Sequence, residues 1–95
     1  MQVHNIRLID NTYDLNVADQ LLKKFINAKI AFINDQIKAT DPKDKDEIKQ
    51  LELRIKDLKA ETRSLDLFIE ENDVENVEME IGATIVMSIK KIEST

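Results

Sequence analysis

His4 is the only histidine of a chain that contains no cysteine. A lone imidazole can act as a base or as one ligand, but a zinc site needs several converging nitrogen or sulfur donors. Thiolate catalysis, thiolate metal sites and disulfides are excluded outright. His4 lies in QVHNIRLID, a strand-like segment, and reads as an ordinary edge residue.

The second feature with chemical potential is acidic. Residues 70–80, EENDVENVEME, hold Glu70, Glu71, Asp73, Glu75, Glu78 and Glu80 and no basic residue. Carboxylates suit hard cations, yet the spacing is not that of a calcium-binding loop. A hydrolase built on two carboxylates needs them to flank a cleft with separated pKa values, and nothing here implies a cleft. The run reads as a solvated helix end and strand face. No catalytic residue, cofactor or metal is expected.

The basic residues Lys23, Lys24, Lys29, Lys38, Lys43 and Lys45 are diluted by Asp35, Asp41, Asp44 and Asp46. The net charge is −5 and aromatic content is 4%. Phe25, Phe32 and Phe68 occupy apolar positions and do not form a stacking platform. Nucleic acid is therefore an unfavoured partner.

The elements that hold these residues follow from periodicity. Residues 2–10 read as a strand with imperfect alternation, because Leu8 and Ile9 would face opposite sides. Asp10-Asn11-Thr12 reads as a turn. Helix one is expected over 15–39, capped by Asp14 or by Asn16 with Asp19. Its stripe runs through Ala18, Leu21, Leu22, Phe25, Ile26, Phe32, Ile33 and Ile37, and Ala28 and Ile30 widen it beyond one surface. Lys29 and Gln36 fall within the stripe as marginal, snorkelling positions. Pro42 breaks the helix, with a turn over 40–44. Helix two is expected over 45–71 with a capping box from Asp44 to Glu47.

Ile48, Leu51, Ile55, Leu58, Thr62, Leu65 and Ile69 recur at alternating spacings of about three and four, a coiled-coil-like seam. Glu52 and Lys56 stand at ion-pair spacing. From Val77 the period switches to two through Met79, Ile81, Ala83, Ile85, Met87 and Ile89, a strand over 76–90 with Gly82 as a possible bulge. Met79 and Met87 read as core fillers, and the last residues as a frayed tail.

A chain of 95 residues, with one Gly and one Pro, is expected to form a single domain, 1–95, without a linker. The expected class is α+β: strand–helix–helix–strand, a long antiparallel helical hairpin packed with a small antiparallel sheet completed by dimerisation. The second strand reads as longer than the first, leaving edge to pair with another subunit or with a peptide strand. No run approaches the ~20 apolar residues of a membrane span, the N-terminus lacks a signal-peptide layout, and a reducing cytoplasm is the simplest setting.

The favoured function is a structural or protein-interaction module acting as a homodimer or tetramer, with an unidentified protein as a possible further partner. The candidate interface residues are Phe25, Phe32, Ile33, Ile55, Leu58, Leu65, Phe68, Ile81 and Ile85. An accessory factor that binds nucleic acid, or a small enzyme with a site shared between subunits, are the alternatives.

Overall fold

Each helix begins at an aspartate that satisfies a backbone donor the helix cannot. Asp14 Oδ1 accepts from the Val17 amide at 2.9 Å, so Asp14 rather than Asn16 caps the first helix. Asp44 Oδ1 accepts from the Glu47 amide at a longer 3.4 Å. The computed structural model describes residues 2–92. It contains β1 (Val3–Asp14), α1 (Leu15–Ala39), α2 (Lys45–Asn72) and β2 (Glu78–Ser88). The expected tail lies partly outside these residues.

The turn between the helices has a local cause. The Asp44 amide donates to the Asp41 carbonyl at 2.8 Å, closing a turn with Pro42 at its second position, where the fixed φ is favourable. The Lys43 amide donates to Asp41 Oδ1 at 2.9 Å. Thr40 ends α1 by donating its hydroxyl to the Gln36 carbonyl at 2.7 Å. At the other end of α2, Asn76 takes a positive φ of 63°, which Asn tolerates better than most residues, and the chain turns into β2.

β1 and β2 pair antiparallel along their whole lengths, from Val3 opposite Ser88 to Asp14 opposite Glu78. This corrects two expectations. The chain does not turn at Asp10–Thr12, because those residues pair with Gly82, Ile81 and Glu80. The Asn11 side chain still accepts from the Thr12 amide at 2.8 Å, so the local bond forms without bending the strand. The two strands are also nearly equal, with 12 and 11 residues, so no stretch of β2 overhangs its partner.

The irregularity lies on β1, between Arg7 and Ile9, and not at Gly82, where an added Cβ would meet nothing within 4 Å. Leu8 is the extra residue. It resolves the broken alternation by bringing Ile6 and Ile9, three apart, onto one face. That face carries Tyr13, Asn11, Ile9, Ile6 and His4 opposite Met79, Ile81, Ala83, Ile85 and Met87.

Among the described residues, the α2 backbone comes close to that of α1 and to neither strand's, while the α1 backbone comes close to all three other elements. The burial of Leu51 on the α2 seam, at 3% exposed, therefore comes from α1. The remaining seam positions, Thr62 included, are half-buried. Thr62 donates to the Leu58 carbonyl at 3.2 Å, which satisfies its hydroxyl within its own helix. A second cluster joins α1 to the sheet through Ile9, Ala18 and Ile81, flanked by Tyr13, Leu21, Leu22, Met79 and Ala83.

Lys23 ties the hairpin together electrostatically. Its Nζ lies 2.7 Å from Asp66 Oδ1 on α2 and 3.0 Å from Asp19 Oδ1 on its own helix. These are two of three ion pairs among the described residues, and Glu52–Lys56 is not one of them. The Asp66 and then the Asp19 hydrogen bonds raise the Lys23 pKa above its ordinary value. A raised lysine pKa contributes stability fully below the unfolded pKa of about 10.4, and that contribution is lost as pH rises through the folded value. Lys23→Gln is expected to lower the unfolding midpoint by a similar amount at pH 7 and pH 9, with the deficit shrinking as pH rises through the raised folded pKa. Thermal melts across that range check it, and a deficit that persists unchanged at the alkaline end contradicts it.

Candidate functional site

The surface with functional potential is apolar, and helix geometry explains why it exists. At about 100° per residue, Leu22, Ile26, Ile30, Ile33 and Ile37 line one side of α1, the side turned to α2. Ala18, Leu21, Phe25, Ala28 and Phe32 form a second stripe, roughly 120° around the helix. The sheet covers only the start of this second stripe, at Ala18 and Leu21. Phe25 and Phe32 continue it uncovered, 43% and 63% exposed.

The sheet has the matching defect. Ile9, Tyr13, Met79, Ile81 and Ala83 of its apolar face belong to or pack on the cluster against α1. The far half of the same face, with Ile6 opposite Ile85 and His4 opposite Met87, has no helix over it. Ile6 and Ile85 are 40% and 43% exposed. One helix–sheet contact thus stops halfway on both of its surfaces.

Two shallow grooves lead from Phe25 toward the Val77–Ile81 end of the sheet. One runs between the helices, lined by Leu22, Phe25, Ile26, Leu65 and Phe68 with Glu61 and Ser64 at its edge. The other runs from Leu22 and Phe68 to Val77, Met79 and Ile81 of the β2 end. Leu22 and Phe68 are common to both, so the apolar surface is continuous from the hairpin to the sheet.

The nine residues expected at an interface fall into two groups. Phe25, Phe32, Phe68 and Ile85 are exposed. Ile33 and Ile81 are buried inside the chain, the first on the α2-facing side of α1 and the second on the side of the sheet that meets Ala18. Ile55, Leu58 and Leu65 are half-buried along the seam toward α1. Ile33 is covered where α1 meets α2 and Ile81 where the sheet meets α1, while Leu65 also lines the groove between the helices. Ile6 completes the exposed group and was not legible as such, since its face depends on the bulge at Leu8. Met87 is likewise exposed and fills no core.

The polar candidates do not converge. Among the described residues, no three His, Asp or Glu side chains are grouped to hold a metal ion. Glu78 and Glu80 pair with Asp14 and Thr12 and stand at the edge of the groove that Met79 and Ile81 line. Among the described residues, no helix is long and apolar enough to cross a membrane.

The class defined by these elements is an α+β strand–helix–helix–strand hairpin with a half-covered apolar face. No protein-family model, no curated protein and no solved structure matches the chain.

Proposed function

We propose that the chain is a homo-oligomeric structural or protein-interaction module whose smallest working form is a dimer. The observation that carries this reading is surface area. A folded monomer of 11.0 kDa is expected to expose about 5,600 Å², whereas this chain exposes 8250 Å². The excess of roughly 2,600 Å² per chain, about 5,200 Å² for two chains, is at the upper end of what obligate homodimers remove from solvent.

The shape agrees with that reading. The radius of gyration is 17.6 Å against about 12.4 Å for a compact domain of this length. The extents are 60 × 34 × 16 Å, a slab too thin to bury both faces. Phe25 and Phe68, two of its exposed large side chains, line grooves that share Leu22 and Phe68, and a grouped apolar patch is the pattern of an interaction surface. A reducing cytoplasm suits a chain without cysteine.

Light scattering at micromolar concentration is expected to return a mass near twice the 11.0 kDa of one chain, or a higher even multiple. A mass that stays at one chain up to 100 μM overturns the proposal.

A further inference from the structure

Resting on the self-association just proposed, we infer that the occupant of the uncovered face is a second copy of this chain, docked so that the free half of each sheet covers the free half of the partner's α1 stripe. Ile6, Ile85 and Met87 of one copy then lie over Phe25, Ala28 and Phe32 of the other, and a two-fold axis repeats the contact.

Three observations select this arrangement. The first is continuity: the same sheet face and the same helix stripe already pack on each other within the chain, through Ile9 and Ile81 against Ala18. The inter-copy contact extends a packing mode that the sequence already supports. The second is reciprocity. An isologous dimer requires that patch i meet patch j and patch j meet patch i, and the chain offers one sheet patch and one helix patch, each lacking what the other supplies.

The third is charge. With a net charge of −5, two copies meet most readily where carboxylates are few. None of the six patch residues is acidic, and Asp35, three residues after Phe32, borders the helix patch. Lys29, four residues after Phe25 and three before Phe32, can lay its aliphatic stem along the stripe.

Because the two-fold axis doubles every contact, Phe32→Asp and Ile85→Asp are each expected to weaken dimerisation about a hundredfold, roughly tenfold at each of two equivalent sites. Both residues are exposed in the single chain, so the helical circular dichroism of the variants is expected to be retained. The absence of cysteine permits a direct positional test. Phe32→Cys and Ile85→Cys chains, mixed and oxidised, are expected to form a disulfide-linked heterodimer, with neither chain cross-linking appreciably to itself.

The outcomes separate the two proposals. A wild-type chain that remains monomeric removes both. A wild-type dimer that survives both aspartate substitutions, or in which Phe32→Cys pairs with itself, overturns this docking and leaves self-association standing, through strand edges or another helix face. Loss of the dimer in both variants together with the mixed disulfide supports it.

Discussion

Leu51→Ala is expected to remove about 2–3 kcal/mol of stability, the lower half of the range for deleting a buried leucine. Leu51 is among the five buried apolar residues described, with Ile9, Ala18, Ile33 and Ile81, and its cover comes from α1 alone. A cavity in so thin a slab can relax by movement of one helix toward the other, which lowers the cost relative to an enclosed core. Against a total stability of about 5–15 kcal/mol, the loss is still a large share. For a domain of this size it corresponds to a fall in the unfolding midpoint of roughly 10–20 °C. Leu53→Ala is the control. Leu53 projects from the opposite side of α2 and is exposed, so its removal is expected to stay within about 0.5 kcal/mol. Chemical denaturation of the two variants decides the matter, and equal effects would show that the seam is not the inside of the subunit.

The second large effect is expected from Ala18→Leu, and it is selective. Ala18 has no exposed surface and sits with Ile9 and Ile81 where the sheet meets α1. Three added carbons have no space there, and overpacking of this kind costs about 1–3 kcal/mol. The sheet has the least to lose by moving. It has two strands, it is held by α1 and not by α2, and a two-stranded sheet by itself is marginal in water. The hairpin between Ile26 and Leu58 does not depend on it. Residue-resolved hydrogen exchange is therefore expected to show loss of protection in β1 and β2 while the turn-proximal halves of α1 and α2 keep theirs. Uniform loss in all four elements would mean that helices and sheet unfold as one unit, contrary to this expectation.

The two substitutions probe two kinds of burial, and the sequence discloses them unequally. The seam of α2 is legible because a single helix face with one partner leaves a strict repeat: Ile48 to Ile69 recurs as it must if one side is covered and the rest is wet. The limits of both helices are legible for a similarly local reason. Asp14, Asp44 and Pro42 act on the amides and carbonyls nearest to them, and the observed helices begin where those residues place them.

The strands were less legible. Asp10-Asn11-Thr12 has the composition of a turn, and its Asn11 side chain makes the expected local bond. Pairing with Glu80–Gly82 nevertheless keeps the segment extended, because ladder hydrogen bonds to a distant partner outweigh one short-range contact. The bulge at Leu8 is invisible without that partner. A displacement of one residue reverses every side chain beyond it, so Ile6 could not be assigned to the apolar face from its own neighbours. Ile33 and Ile81 have the apolar character of interface residues, and their burial at 3% and 8% exposure depends on surfaces distant in the sequence.

By itself the sequence determined the order of the elements, the ends of the helices, the face of α2 that turns inward and the excess width of the apolar face on α1. These are consequences of periodicity and of groups within a few residues of each other. Only the tertiary structure decided which apolar residues remain uncovered. Burial belongs to pairs of surfaces and not to single residues: Ala18 and Phe32 lie on one stripe, and what separates core from surface is that the sheet reaches the first and ends before the second.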